Sequence, residues 1–382
     1  MQLYEIGTII TGNTPSRKIK EYYESNDIMF IKPGDIEEKY ITNLKKSEDY
    51  ISEKARNKVR ILPKGTILVT CIGTIGKVGI LENEATCNQQ INAIIPKDMI
   101  VSKYLAYLLK YKQKVLQFKA NAPVVPIINK TDFSKIEINI CDIEEQKKIV
   151  KKLDLTKKII DIRKKQIEEL NIIIKSQFVE MFGTIKENKK KYPIKSLIEV
   201  FELIKDGTHS TPVYINDKKN GVKFLSAKDI TKGRIDWDNT KYIPIELHEK
   251  LVKRIKPQLN DILLAKNGTT GICAKVNKEE VFDIYVSLAL LRPNLENCSD
   301  YLVQAINNEE TKEQFKKSLK GVGVPNLHLG EIKKVKIIVP PLPLQNKFSE
   351  IVKQIDKQKF EIEKSLKETQ ELYESLMEKY FG

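Results

Sequence analysis

The chain has 382 residues, of which 41% are hydrophobic, and carries 66 Lys plus Arg against 51 Asp plus Glu, a formal net charge of +15. That length accommodates two or three folded domains with cores of their own, and the apolar content excludes a disordered polyelectrolyte. No run approaches the ~20 apolar residues of a membrane helix, and the excess of cations puts an acidic partner, nucleic acid above all, among the expected ligands. The opening MQLYEIGTIITGNTPSRK lacks a basic segment followed by an apolar one, so no signal peptide is expected. Cys71, Cys87, Cys141, Cys273 and Cys298 are odd in number, widely spread and never in a CxxC. They read as the reduced thiols of a cytoplasmic protein, not as a disulfide frame or a zinc site.

Residues 1–141 form the first predicted unit. Short β-branched runs (TILVT at 66–70, INAIIP at 91–96) alternate with Gly, Pro and Asn, which predicts strands and turns, and KYLAYLLKYKQKVLQF at 103–118 predicts a helix. Residues 142–183 follow as one long amphipathic helix, with Leu153, Ile160, Ile167, Ile174 and Met181 seven apart. A sustained seven-residue period predicts helices that wind on a partner, and about 40 residues span roughly 60 Å.

The remainder repeats the beginning. FIKPGDI at 30–36 returns as FLSAKDI at 224–230, GTILVTCIGTIGKVG at 65–79 as NDILLAKNGTTGICA at 260–274, and NQQINAIIP at 88–96 as YVSLALLRP at 285–293. IEINICDIEEQKKI at 136–149 returns as VKIIVPPLPLQNKF at 335–348. The offset climbs in order from 194 through 195 and 197 to 199, as it does when small insertions accumulate in the loops of two copies; so long a period means domain duplication, not a solenoid. Residues 184–342 are thus a second globular unit and 343–382 a second long helix, whose seam runs Val352, Lys359, Leu366, Tyr373, Tyr380, widened by Phe348, Ile355, Ile362 and Leu376. Two helices with one seam are expected to pack antiparallel as a coiled coil, with Leu153, Ile160, Ile167, Ile174, Val352, Leu366 and Tyr373 inside and the aliphatic stem of Lys359 covering its position. The predicted fold class is α+β: two duplicated, β-rich globular domains separated by two long helices. The four segments carry net charges of +6, +2, +8 and −1, so the globular units hold nearly all the positive charge.

Catalytic constellations are scarce. GTIGKVG at 73–79 lacks the GxxxxGK[ST] spacing of a phosphate loop, and the second copy has no Lys there. PPLP at 340–343 is not the Asn/Asp-Pro-Pro-aromatic clamp of an amino-methyltransferase and reads as a helix start. The three histidines, His209, His248 and His328, lie in different segments, so no His-based metal or acid–base site is expected. The copies match at scaffold positions (Gly12 with Gly207, Pro15 with Pro212, Asp35 with Asp229, Gly73 with Gly268, Gly76 with Gly271) and differ at most polar ones. One scaffold with two polar surfaces points to recognition of two different things.

The order head, long helix, head, long helix resembles the specificity subunit of a Type I restriction–modification enzyme. The resemblance covers essentially the whole chain and rests on GNTP (12–15) and DGTHSTP (206–212), on FIKPGDI and FLSAKDI, on GTILVT and NDILLA each followed by a Gly-x-x-Gly turn, and on EEQKKI (144–149) and PLPLQNKF (341–348). The first copy departs from the pattern in having ICDIEEQ where the second has VPPLPLQ. The resemblance implies a non-catalytic DNA reader in which each head, a target recognition domain, reads half of a split sequence. It implies helices that set the gap and dock two methyltransferase subunits, which transfer methyl groups from S-adenosylmethionine to adenine N6; a motor–nuclease (restriction) subunit joins for cleavage. This chain itself would hold no cofactor and no metal.

Residue types suited to phosphates and base edges then nominate contacts to double-stranded DNA. In head one these are Thr14, Ser16, Arg17, Lys18, Lys32, Lys77, Asn88, Gln89, Gln90, Lys119, Asn121, Asn129 and Lys130. In head two they are Thr208, His209, Ser210, Thr211, Lys228, Lys266, Asn267, Thr269, Thr270, Tyr285, Ser287, Asn326 and His328. A nuclease or methyltransferase, a duplicated protein-binding scaffold and a methylation-only specificity subunit remain open as alternatives at this point.

Overall fold

The computed structural model describes residues 1–120, 126–230, 233–268, 270–319 and 326–382. They divide into two compact units, residues 1–164 with 364–382 and residues 165–363. Each unit takes one head together with half of each long helix, because the helix halves bury their apolar stripes on the heads as well as on each other.

In the first unit the strands are β1 (Gly7–Thr11), β2 (Ile28–Ile31), β3 (Thr42–Leu44), β4 (Asp49–Ile51), β5 (Ile67–Thr70), β6 (Val78–Leu81), β7 (Ala85–Cys87) and β8 (Ile91–Pro96). They form a five-stranded sheet in the order β1-β8-β5-β6-β3 and a three-stranded sheet in the order β4-β2-β7. The predicted strands carry the buried β-branched residues: Ile67, Val69, Val78, Ile80 and Ile94 enter one core with Tyr104, Leu105 and Leu108 of the helix Ser102–Tyr111.

The second unit repeats this plan with β9 (Ile194–Ser196), β10 (Phe201–Asp206), β11 (Gly221–Leu225), β12 (Lys241–Pro244), β13 (Ile262–Ala265), β14 (Cys273–Lys275), β15 (Phe282–Ile284), β16 (Leu288–Pro293) and β17 (Lys336–Ile338). The order β10-β16-β13-β14 reproduces β1-β8-β5-β6, and β12-β11-β15 reproduces β4-β2-β7. Even the mixed pairing is kept: β2 runs parallel to β7 and antiparallel to β4, as β11 does to β15 and β12. Asp35 and Asp229 do the same work, each accepting from a backbone N–H three residues earlier, Lys32 at 2.7 Å and Ser226 at 2.6 Å.

The long helices span Ile143–Phe182 and Leu342–Phe381. In the first unit Ile149, Leu153 and Ile160 share a core with Tyr373, Met377 and Phe381, and Lys152 Nζ meets the Tyr380 hydroxyl at 3.2 Å. In the second, Phe178 and Phe182 pack on Phe348 with ring centroids 5.6 and 5.4 Å apart. Rising numbers on one helix meet falling numbers on the other in both units, so the pairing is antiparallel. The seven-residue row is only part of the buried surface. Leu153, Ile160, Ile174, Val352 and Tyr373 are buried, whereas Ile167 and Leu366 are only half-buried. Tyr373 makes its ring contacts with the head, to Tyr40 at 5.6 Å and Tyr107 at 6.5 Å. A helix that must lie on a globular unit needs a broader apolar face than a two-stranded seam.

Both head-to-helix junctions use one device, a buried glutamine amide. Gln146 and Gln345 are fully buried at equivalent positions. The side chain of Gln146 accepts from the Val101 N–H at 2.8 Å and donates to the Cys141 carbonyl at 2.8 Å; Gln345 accepts from the Cys298 N–H at 2.9 Å and donates to the Pro340 carbonyl at 2.8 Å. Asp142 supplies the cap that proline does not, accepting from the Glu145 N–H at 3.0 Å. Gln345→Ala strands a buried backbone donor and acceptor, and we expect it to cost about 1–3 kcal/mol, read as a lower midpoint in urea-induced unfolding; an unchanged midpoint would show that water replaces the amide.

Candidate nucleic-acid interface

In each head a few of the residues nominated from sequence gather where the first sheet strand ends and the chain turns into the opening loop. Gly12 donates to the Ile91 carbonyl at 3.0 Å, and Gly207 to the Leu288 carbonyl at 3.2 Å. The backbones approach so closely that a Cβ on Gly12 would lie 2.1 Å from the Asn88 carbonyl oxygen, and one on Gly207 2.0 Å from that of Ile284. No residue but glycine fits, which explains why GNTP and DGTHSTP share it. The Gly-x-x-Gly turns close the same edge, Gly76 donating to the Thr70 carbonyl and Gly271 to that of Ala265, both at 2.9 Å.

Many nominated side chains lie at the surface. Thr14, Ser16, Arg17, Lys18, Gln89, Lys119 and Lys130 are exposed in head one, and His209, Ser210, Thr211, Lys228 and His328 in head two. Thr14 donates to the Gln89 side chain at 2.6 Å, and Thr211 and Tyr285 share a hydroxyl contact of 3.1 Å, so each opening loop is tied to the connection between β7 and β8 or between β15 and β16. Asn121 and Thr269 lie outside the described residues.

Others are engaged within the head, contrary to expectation. Lys266 is 7% exposed and its ammonium lies 3.0 Å from the Asp206 carboxylate, itself 9% exposed, so it holds the head together and does not reach a phosphate. Lys77 spends its ammonium on the Pro33 carbonyl at 3.0 Å, and Lys32 pairs with Asp49. Asn88 is buried, donating to Gln90 at 2.8 Å, which removes both amides from an adenine-reading row. Asn129 caps the helix Lys130–Ser134 through the Asp132 N–H, and Ser287 accepts from the Ala227 N–H at 3.0 Å. Thr208 bridges to Tyr285 and Asn267 to Asn326 by backbone pairing, which leaves the side-chain oxygens of both asparagines buried without a hydrogen-bond partner. Asn129 and Ser287 share a cause: short polar side chains near element ends are taken up by the backbone N–H groups left open there.

The two heads differ at this edge. In head one Thr11 pairs in register with Asn92, donates to its side chain at 2.7 Å, and Asn92 reaches the Cys71 sulfur at 3.2 Å. In head two the equivalent three positions are Asp206, Ala289 and Lys266. A neutral cluster on one scaffold is thus an ion pair on the other. Burial raises the Asp206 carboxyl, but the Lys266 hydrogen bond and charge outweigh it and hold it below its ordinary range. Burial pushes the Cys71 and Cys87 thiols up to about 12, so neither is a thiolate at neutral pH. Among the described residues no His, Cys, Asp or Glu cluster could hold a metal ion, and no helix is long and apolar enough to cross a membrane.

Two arginines escaped the sequence reading. Arg60 and Arg254 are both exposed, and both donate from Nη1 to a backbone carbonyl where the first sheet strand passes into the opening loop: Arg60 to Thr11, and Arg254 to Gly207 at 3.1 Å. The signal was present as KVRILP at 58–63 and VKRIKP at 252–257, at the same 194-residue offset as FIKPGDI and FLSAKDI.

Duplicated heads with a shared frame, dissimilar polar edges and paired long helices define a two-headed recognition protein. The chain belongs to the family of the Type I restriction modification DNA specificity domain, whose model matches residues 1–171 and again 189–372. That family is the non-catalytic, DNA-sequence-recognising subunit of its enzymes. The chain is 30% identical over 374 residues to the Type I restriction enzyme MjaIX specificity subunit of Methanocaldococcus jannaschii, covering 92% of this chain and 85% of that protein. Its fold is similar to the crystal structure of the Type I restriction–modification system S subunit from M. genitalium (TM-score 0.60, 17% identity, 100% of this chain and 95% of that one). It is likewise similar to a chain solved in work on complex assembly and conformational transition of the type I R-M system (TM-score 0.59, 16% identity, 100% and 96% covered).

Proposed function

We propose that each head reads one short word of a split double-stranded DNA target and that the chain directs two partner adenine-N6 methyltransferase subunits to it. The observation that carries this reading is the divergent edge on a common frame: Thr11, Cys71 and Asn92 in one head against Asp206, Lys266 and Ala289 in the other. Two copies performing one chemistry would keep their polar residues; two copies reading different words would keep the frame and change the edge. S-adenosylmethionine belongs in this scheme to the methyltransferase subunits, and a restriction motor–nuclease subunit joins where cleavage follows. The excess of Lys and Arg supplies sequence-independent attraction to phosphate, and the name of the complex-assembly relative supports an assembled mode of action.

Modified-base sequencing of cells carrying this chain and its methyltransferase, with and without its gene, tests the reading. A single gapped adenine motif should disappear on deletion. Gln89→Ala, at an exposed residue tied to the opening loop, should weaken methylation through one word only. An unchanged methylome, with sequence-indifferent DNA binding by the purified complex, would favour a protein-binding scaffold.

A further inference from the structure

We propose that Arg254 reads a guanine in the word bound by head two, with Asp206 as its positioning residue, and that Arg60 holds the corresponding post in head one as a phosphate contact. This rests on the reading of each head as a DNA binder. The copies have exchanged most of their polar residues, yet both keep an arginine at an exposed position beside the opening loop, anchored on the backbone where the first sheet strand passes into that loop. The two anchors differ in one respect that decides the roles. Arg254 donates from Nη2 to Asp206 Oδ1 at 3.0 Å as well as from Nη1 to the Gly207 carbonyl, so the plane of its guanidinium is fixed at two points. Asp206 is itself fixed, since its other oxygen takes the Lys266 ammonium at 3.0 Å and faces His209 Nε2 at 3.2 Å.

A guanidinium has five N–H donors, and these contacts use two, leaving three for a ligand on a side chain that is 51% exposed. A planar fork with adjacent free donors matches O6 and N7 of guanine in the major groove, the commonest specific protein–DNA contact. Holding the fork in advance removes much of the rotamer entropy that a free surface arginine loses on binding. The exposed His209, Ser210 and Thr211 border the same loop and supply donors for the neighbouring backbone. In head one Thr11 stands where Asp206 stands, and no ion pair of Arg60 is found among the described residues. A cation held at one carbonyl, with no second anchor found among the described residues, suits a phosphate, which accepts from many directions, better than a base edge.

The test assembles the full chain with its methyltransferase subunits and measures methylation of a randomised DNA pool by wild type, Arg254→Ala, Arg254→Lys and Arg60→Ala. Arg254→Lys keeps a cation beside Asp206 but loses the fork. It should relax the requirement for one guanine in one word, by about 5- to 150-fold, and leave the other word intact; Arg254→Ala should do the same. Arg60→Ala should weaken binding about equally for all sequences and reduce the salt slope by about one. Should Arg254→Ala lower the thermal midpoint, the lysine variant carries the comparison. The proposal is overturned if the wild-type word of head two contains no guanine, or if both Arg254 variants keep every base preference, which would leave the arginine as a tie for the Gly207 carbonyl. A wild-type complex without any two-word target defeats the functional reading instead, and the two failures are distinguishable.

Discussion

Asp206→Ala unfolds head two more readily by about 3–5 kcal/mol, the expected cost of leaving a buried cation without its partner. The carboxylate anchors three groups, Lys266, Arg254 and His209, and Lys266 has almost no access to water in which to recover its solvation. The chain contains one tryptophan, Trp237, buried in this head with its indole N–H on Asn277 at 2.9 Å, so fluorescence reports this unit alone during urea unfolding. The double variant Asp206→Thr with Lys266→Cys installs the residues that head one uses at these positions and should recover much of the loss, since it removes both charges together. Acid supplies a second check. The Asp206 carboxyl is held below its ordinary value, so its contribution is fully present above about pH 4 and fades as the pH falls through the lower folded value. The gap between wild type and Asp206→Asn should therefore be wide at neutral pH and close in acid. A gap that stayed constant down to pH 2 would mean that the ionised carboxylate is not what stabilises the head.

Phe348→Ala is the other large effect. Phe348 is fully buried and meets Phe178, Phe182 and Tyr301 with ring centroids 5.6, 5.4 and 6.4 Å apart, while Phe182 and Tyr301 lie 4.9 Å apart. These rings come from the first long helix, the helix Ser299–Asn307 and the second long helix, so one cluster fastens both rods to the head. Truncation of a buried phenylalanine costs about 3–5 kcal/mol, and edge-to-face partners add to the area lost. We expect the Trp237 transition and the helical signal to shift together to lower denaturant. Phe360→Ala, on the same helix but exposed, should stay within about 0.5 kcal/mol of wild type. Equal behaviour of the two variants would show that the cluster contributes nothing beyond its own helix.

The duplication was legible because backbone requirements leave sequence marks at fixed spacing. Gly12 and Gly207 answer a close approach, Asp35 and Asp229 cap a turn, and the β-branched runs fill sheet cores, so all three kinds of match survive divergence. The long helices were legible from their apolar period, although Ile167 shows that a row of seven marks a stripe and not the depth of burial along it. The recognition edge was legible as a region but not residue by residue. Lys266 and Lys18 look alike as letters, and only the Asp206 carboxylate, 60 residues away along the chain, makes one an internal counter-ion and leaves the other at the surface. Arg60 and Arg254 were missed for the opposite reason, since a matched arginine among lysines carries no weight until its backbone carbonyl partner is seen.

The last residues of the chain belong to the unit that its first residues begin. Tyr373 and Phe381 lie against Tyr40 and Tyr104 of head one, and the Tyr111 hydroxyl reaches Glu378 at 2.7 Å. A recombination event that brought in a foreign first head would therefore have to bring an aromatic bed for an inherited tail encoded more than two hundred codons downstream. Heads that keep this bed can be traded while their loops drift freely; heads that lose it would leave the tail unseated, whatever sequence they read.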